Sequence, residues 1–226
     1  MVATTLFLPL LASLDTISSG PLDFLRKGGV FMIPLLVAST AGVMAILYKA
    51  FSLSRRRVIP PPLERHVRDF ALYATTESIE PVLKEFQKGH STLARLSAVA
   101  VKHRGRPQAE IIQAVESCSR EESAHLHAGI GVLDVVITVA PLLGLLGTAS
   151  GLVVIFQGLG ETTDHLVIAR GIAEALNTTI AGLAIAVPCV IAHSYFTRRI
   201  DVLTARLEAL MSDLAYVCAR VRPNGE

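Results

Sequence analysis

The sequence predicts an all-α membrane protein with three transmembrane helices and long helical cytoplasmic extensions. Hydrophobic residues make up 51% of the 226 residues and charged residues only 18%, whereas charged residues are about a quarter of an ordinary soluble domain. Three apolar segments are each long enough to cross a bilayer, which requires roughly 20 helical residues. A helix in a soluble core rarely stays apolar on all sides over such a length.

The apolar segments divide the chain into seven parts. The three spans are predicted at residues 29–51, 129–157 and 166–197. The parts around them are an outer-side N-terminal segment, a cytoplasmic helical loop, a short outer loop and a cytoplasmic C-terminal helix with a tail, at residues 1–28, 52–128, 158–165 and 198–226. Because the second and third apolar stretches overrun a minimal span, we expect their cytoplasmic ends to continue as helices beyond the membrane.

The N-terminal segment is apolar but too short to cross a bilayer. It also lacks the basic start of a signal peptide, so we expect an interfacial helix at the outer leaflet. The spans that follow contain Pro34, Pro141 and Pro188. Prolines are tolerated in membrane helices where neighbouring groups satisfy the freed carbonyls.

The cytoplasmic parts carry the pattern of amphipathic helices. The run Pro60–Pro62 ends whatever helix precedes it, and Pro107 stands near the start of a helix that we expect to run unbroken into the second span. The third span is followed by a helix that packs on the loop helices or on a neighbouring subunit. Apolar residues at helical spacing support both predictions, at Leu93, Leu96, Val99 and Ala100, and at Leu203, Leu207, Leu210, Leu214 and Val217.

Lysine and arginine set the predicted orientation. A dense basic set that includes Arg55–Arg57 follows the first span, and several arginines follow the third. The connection Gln157–His165 contains neither Lys nor Arg. The positive-inside rule therefore places the loop and the C-terminus in the cytoplasm and the N-terminus outside. Arg26 and Lys27 oppose this orientation but are outnumbered.

Composition and motifs argue against several other classes of protein. A net charge of +2 without a concentrated basic face does not favour a nucleic-acid binder. Cys118, Cys189 and Cys218 lie far apart without zinc or disulfide spacing, so we expect packing roles for them. His125 and His127 would point apart on a helix, so no metal site is predicted there. Because no HExxH, GxSxG or P-loop motif is present, we expect no enzyme activity and no cofactor.

The third span carries polar residues that a lipid-facing helix would not need. Glu174 is the most informative, because an ionisable group inside a span is costly and marks a functional site by default. Residues at intervals of four lie along one slowly drifting face of a helix. Here that stripe consists of Glu174, Thr178, Gly182 and Ala186, with Thr179 beside it.

The second span has a matching face of small and hydroxyl-bearing residues. Its members are Ala140, Gly144 and Thr148, and a GxxxG motif at Gly147 and Gly151. A GxxxG motif lets a second helix approach closely. The short outer loop predicts an antiparallel hairpin, with Thr148 at the depth of Thr178 and Thr179. A purely structural role stays open for each threonine, because membrane threonines often bond to their own i−4 carbonyl.

Asp134 is a secondary candidate at the inner end of the second span, where a helix-end or inter-subunit hydrogen bond would also explain it. Apart from Asp134 at the inner boundary, no span contains a second acid or a central Lys or Arg that could complete a proton relay with Glu174. Either Glu174 works alone or a partner supplies the carboxylate. Asn177 and His193 receive no functional role, and we expect packing or interface hydrogen bonds for both.

Two stretches resemble the signature segments of the MotA/TolQ/ExbB proton-channel family. They are VAPLLGLLGTASGLVVIFQ, Val139 to Gln157, and GIAEALNTTIAGLAIAVPCVIAHSYF, Gly171 to Phe196. Residues 23–51 resemble the first span of the ExbB/TolQ branch, which three spans also favour. The resemblance covers nearly all of the chain in order, and its paired AP-GLLGT and EAL-TT-GL-P patterns are specific.

The resemblance implies a homopentameric ring around a central pore in the bacterial inner membrane, surrounded by lipid. It implies that two copies of a single-span partner similar to ExbD or TolR occupy the pore, where an aspartate of the partner takes up and releases protons, the coupling ion. Protonation would drive rotation that energises a TonB- or TolA-like transducer.

The same resemblance assigns roles to individual residues. The family's pore threonines fall on Thr148 and Thr179 and its glutamate falls on Glu174, while the adjacent Thr178 can share the role. Because the partner supplies the proton-carrying acid, Glu174 is expected to tune the outer entrance. Small residues serve the pore surface or helix packing, at Gly144, Gly147, Gly151 and Gly182.

Two other functions stay open from the sequence. A partner-independent ion channel or small transporter would conduct ions when reconstituted alone. A structural scaffold without transport predicts that Glu174→Gln has no effect beyond assembly.

Overall fold

The computed structural model describes residues 30–53, 55–70, 85–86, 89, 91–158 and 165–220, and all regular structure in these ranges is α-helical. The helices are α1 (Met32–Ser52), α2 (Arg55–Val58), α3 (Pro61–Arg68), α4 (Thr92–Lys102), α5 (Gln108–His127), α6 (Ile130–Gly158) and α7 (His165–Arg220). By length and composition α1, α6 and α7 can each cross a membrane, which confirms the all-α fold with three long apolar helices. The predicted interfacial helix in residues 1–28, the tail after 220 and the outer loop at 159–164 lie outside the described residues.

The three long helices accommodate their prolines in different ways. Pro34 stands in the first turn of α1, where its missing N–H would have no intrahelical partner in any case. Pro141 and Pro188 stand inside α6 and α7, so each removes one i→i−4 hydrogen bond. Helix α7 runs through the predicted boundary between residues 197 and 198 without a break. Its 56 residues correspond to about 84 Å of helix.

The chain forms two compact units, residues 1–42 with 135–188 and residues 43–134 with 189–226. In the first unit α6 packs against α7. Residues that follow one another on α6 meet residues in the reverse order on α7, as Gly144 with Gly182, Gly147 with Thr178, and Gly151 with Ala175. This order confirms the predicted antiparallel hairpin.

The second unit has a conventional apolar core. Ser91 caps α4, because its hydroxyl accepts a hydrogen bond from the Ala94 amide at 3.2 Å, and this satisfies one of the free N–H groups of the first turn. Leu93, Leu96 and Ala100 of α4 are fully buried. The predicted apolar stripe near the end of the chain is buried as well, at Leu203, Leu207, Leu210 and Leu214. Its apolar face therefore packs within the chain.

Ion pairs join the helices of the second unit. Glu64 of α3 is 7% exposed, and its Oε1 accepts from Arg206 Nε at 3.1 Å and from Arg206 Nη2 at 2.5 Å. Arg95 Nη1 of α4 donates to Glu122 Oε1 of α5 at 2.7 Å. Charge-assisted contacts of this kind fix the orientation of one helix relative to another.

The predicted continuous helix from Pro107 into the second span is wrong, because α5 ends at His127 and α6 begins at Ile130. Gly129 separates them with a φ of +85°, a left-handed conformation that glycine adopts without steric cost. Lys49 of α1 is 1% exposed, and its Nζ donates to the Leu126 carbonyl at 2.6 Å. The last carbonyls of a helix lack intrahelical donors and carry the negative end of its dipole. The buried ammonium therefore caps α5 at this break.

Candidate functional site

Three threonine hydroxyls converge on one backbone carbonyl between α6 and α7. The Gly144 carbonyl accepts from Thr148 at 3.1 Å, from Thr178 at 3.1 Å and from Thr179 at 3.0 Å. The hydroxyls of Thr148 and Thr179 also bond to each other. We call Thr148, Thr178 and Thr179 the threonine cluster. It confirms that these positions lie at matching depth on the two helices.

A second carbonyl adjoins the threonine cluster. Ala175 O accepts from Thr178 Oγ1 at 2.8 Å and from Thr148 Oγ1 at 3.3 Å. A hydroxyl has one proton and two lone pairs, so each threonine satisfies one of its possible acceptors at a time. One lone pair in the Thr148–Thr179 contact accepts from the neighbouring hydroxyl, and the others can accept from another donor.

Glycines allow the helices to approach closely enough for these contacts. A Cβ on Gly144 would lie 2.8 Å from Thr178 O, and one on Gly147 would lie 2.6 Å from Thr178 Oγ1. A Cβ on Gly182 would lie 2.5 Å from Ala140 O. Of the two roles expected for the small residues, pore lining and helix packing, the contacts within this chain are those of helix packing.

Burial distinguishes the three threonines from one another. Thr178 is 2% exposed, so its hydroxyl is enclosed between α6 and α7. Thr148 and Thr179 are only half-buried, so each presents part of its surface to the outside of this chain. The sequence could not separate Thr178 from Thr179, whereas the structure buries Thr178 and leaves Thr179 only half-buried.

Glu174 lies apart from the hydrogen bonds that hold the threonine cluster together. Its side chain is 40% exposed, and its Oε1 lies 3.6 Å from Nε of Arg170, which is 77% exposed. The two residues are four apart on α7, a spacing that brings side chains together on a helix. An exposed pair of this kind contributes about 1 kcal/mol or less, so Glu174 is available for other interactions.

Asp134 and His193 form a pair that the sequence analysis did not predict. Nε2 of His193 lies 2.9 Å from Oδ1 of Asp134, so His193 has a specific partner where only packing or interface bonds were expected. A count from the threonine cluster could have found this pair. Asp134 precedes Thr148 by 14 residues, and His193 follows Thr179 by 14 residues. In an antiparallel hairpin, two residues that lie equally far along the chain from a contacting pair, one before it and one after it, are expected to contact each other as well.

Comparison with known proteins assigns this chain to a protein family. The model of the MotA/TolQ/ExbB proton channel family matches residues 71–209, a range that contains the threonine cluster. The chain belongs to this family. The resemblance recognised in the sequence is therefore confirmed.

Named relatives agree with the family match. The chain is 31% identical over 212 residues to a protein named as an ExbB homologue from Methanothermobacter thermautotrophicus, with 90% of this chain and 73% of the relative covered. It is 33% identical over 172 residues to an ExbB-like biopolymer transport protein from Synechocystis, with 74% and 66% covered. It is 27% identical over 183 residues to biopolymer transport protein exbB1 of Vibrio cholerae, with 80% of each covered. The family consists of membrane proton-channel and transport components and is not a family of enzymes.

Proposed function

We propose that this chain is the ring-forming subunit of a proton-driven motor in the bacterial inner membrane. Five copies surround a pore, with the N-terminus outside and the C-terminus in the cytoplasm. Two copies of an ExbD/TolR-like single-span partner stand in the pore. Proton flow moves this partner and energises a TonB- or TolA-like transducer. Membership of a proton-channel family supports the transport class, and the relatives' names support biopolymer transport.

The observation that carries the proposal is the convergence of the threonine hydroxyls on the Gly144 carbonyl, with Thr148 and Thr179 only half-buried within this chain. A protonated carboxyl of the partner can donate to a threonine oxygen while that threonine hydroxyl keeps its own hydrogen bond to the Gly144 carbonyl. An ionised carboxylate instead accepts that hydroxyl proton, because a hydroxyl can act as donor or acceptor. The threonine cluster can therefore hold both states of one partner acid.

The magnitudes allow such a cycle to run. Each reorientation gives up one hydrogen bond inside the hairpin, and interhelical hydrogen bonds in membranes contribute about 0.6 kcal/mol on average. One charge that crosses about 100 mV releases about 2.3 kcal/mol. The proton therefore supplies several times the free energy needed to turn one hydroxyl. It supplies too little to separate α6 from α7, so the hairpin stays intact through the cycle.

Glu174 has a different role in this proposal. Its carboxylate is half-exposed and lies beside Arg170 rather than in the threonine cluster. A carboxylate at this end of α7 attracts cations toward the pore through its charge. Glu174 thus tunes the entrance for protons, and the acid that carries them belongs to the partner.

Valine is the test substitution for the threonine cluster, because it replaces a hydroxyl by a methyl of similar size. The double variant Thr148→Val with Thr179→Val should abolish partner-dependent energy coupling and proton flux in liposomes, while the oligomer still assembles. Thr148→Ser with Thr179→Ser keeps both hydroxyls and should retain flux.

Thr40→Val is the matched control for loss of a hydroxyl inside a span. Among the residues that the structure describes, Thr40 Oγ1 bonds only to carbonyls of its own helix, Leu36 at 2.8 Å and Val37 at 2.9 Å, so flux should not change. Full coupling in the double valine variant would contradict the proposal. Proton flux from this chain without any partner would instead support the alternative of a partner-independent channel.

A further inference from the structure

The Asp134–His193 contact joins the two helices of the predicted channel through titratable side chains. Asp134 is the only charged residue of α6, and its side chain is 60% exposed while that of His193 is 29% exposed. This acid also has an imidazole at hydrogen-bonding distance, 2.9 Å.

A third polar group adjoins the pair on α7. Thr197 follows His193 by four residues and therefore lies on the same helix face. Its Oγ1 is buried and makes no hydrogen bond within the described part of the chain. A buried hydroxyl calls for a partner, and a water molecule or a group from another subunit can supply it.

We propose that Asp134 and His193 form a proton-exchange pair, a second titratable site on the two helices that carry the threonine cluster. The inference rests on the proposed transport of protons along α6 and α7. Histidine is the side chain that ordinarily changes charge between about pH 5 and 8. The imidazole is therefore the member of the pair whose chemistry suits proton exchange.

The proton step can be written atom by atom. A neutral His193 that donates Nε2–H to Asp134 keeps a lone pair on Nδ1. A proton that arrives at Nδ1 converts the imidazole into imidazolium, and the pair changes from one negative charge to neutral. Release of that proton from Nδ1 restores the starting state, so each cycle moves one proton and changes no other bond.

Other charged groups near this end of the helices are engaged elsewhere or exposed. Lys49 Nζ of α1 donates to the Leu126 carbonyl. Arg199 of α7 donates to the Leu53 carbonyl and to the Tyr195 hydroxyl. Arg198 is exposed, and His127 of α5 bonds to the carbonyl of Ser123 in its own helix. The carboxylate of Asp134, 2.9 Å away, is in direct contact with the imidazole of His193.

The first test is nitrogen NMR of the histidine rings in the assembled complex, followed from about pH 5 to pH 8. The His193 ring should titrate within this range, and Asp134→Asn should displace its midpoint. A ring that keeps one protonation state throughout would overturn the proposal, as would a titration that Asp134→Asn leaves unchanged. This measurement needs no proton flux, so it decides the pair even if the proposed transport function fails.

The second test is proton flux through the complex with its single-span partner in liposomes. His193→Gln keeps a hydrogen-bonding side chain but cannot titrate. It should lower flux about tenfold, a modest share of what a positioned proton-transfer group contributes, and flatten the pH dependence. His127→Gln is the matched control and should change neither. If His193→Gln keeps the flux and pH profile of the unaltered complex, the pair is only a structural contact.

Discussion

Replacing Gly182 by alanine should force α6 and α7 apart at the threonine cluster. The added Cβ would lie 2.5 Å from Ala140 O and 3.2 Å from Gly144 Cα. Both obstacles are backbone atoms, so rotation of a side chain cannot relieve them. Real Cβ contacts essentially never fall below 3.0 Å, so the two backbones must separate by at least about 0.5 Å.

That separation is enough to weaken the hydrogen bonds of the threonine cluster. Thr178 and Thr179 donate to Gly144 O over 3.1 and 3.0 Å. An increase of about 0.5 Å brings both to about 3.5 Å, beyond normal hydrogen-bonding range. Two lost interhelical bonds cost about 1 kcal/mol together, and overpacking adds about 1–3 kcal/mol. We expect the free energy of unfolding to fall by about 2–4 kcal/mol.

The assay combines denaturant unfolding in detergent with partner-dependent proton flux in liposomes. Gly131→Ala is the matched control, because a Cβ on this α6 glycine would meet nothing within 4 Å. It reports the helix propensity gained by the same substitution, up to about 1 kcal/mol. If Gly182→Ala matches Gly131→Ala in both stability and flux, the argument from close packing is refuted.

Three further predictions follow from ionisable side chains that are buried or paired. Lys49→Met removes the charged cap of α5 and should lower the free energy of unfolding by about 1.5–3 kcal/mol. Lys102 is exposed, so Lys102→Met should leave the free energy of unfolding unchanged. Equal melting temperatures of the two variants would contradict the capping role of Lys49. Burial raises the pKa of the Cys218 thiol from its ordinary 9.0 to about 12, so iodoacetamide should label Cys218 at pH 8 only after unfolding. As pH rises, the thiol ionises first in the unfolded state, so above about pH 9 the folded state binds more protons. The free energy of unfolding should therefore decline from about pH 9 toward pH 12. Rapid labelling of Cys218 in the folded protein would contradict its burial. Glu174→Gln should change the free energy of unfolding by less than about 1 kcal/mol, because its pair with Arg170 is exposed, yet it should reduce proton flux; unchanged flux would favour a scaffold.

The three long helices could be predicted from the sequence because their signal is local. A run of apolar residues longer than a bilayer core has few alternatives to a spanning helix. The face of the hairpin was also predictable, since residues four apart share a helix face whatever surrounds them. The matching depth of Thr148 with Thr178 and Thr179 followed from counting residues along two helices joined by a short loop. The amphipathic stripe after residue 198 was predictable for the same reason.

The features that could not be predicted depend on groups far apart in the chain. The end of α5 before Gly129 is capped by Lys49, which lies 80 residues earlier than Gly129. No local sequence pattern predicts that contact. His193 could be matched with Asp134 only after the contact between Thr148 and Thr179 had fixed the register of α7 against α6. In each case the free energy comes from a hydrogen bond between two helices, whose value depends on distance and direction rather than on residue type alone.

The sequence by itself determined that this chain is a three-span member of a proton-channel family and that Thr148, Thr178, Thr179 and Glu174 are the residues to examine. Tertiary structure decided how they differ: Thr178 is buried, Thr148 and Thr179 are half-buried, and Glu174 lies beside Arg170. Adjacent residues on a helix point about 100° apart, so spacing alone places both threonines near one face. Only the rotation of α7 against α6 decides which hydroxyl is enclosed, and backbone contacts at glycines with no Cβ fix that rotation.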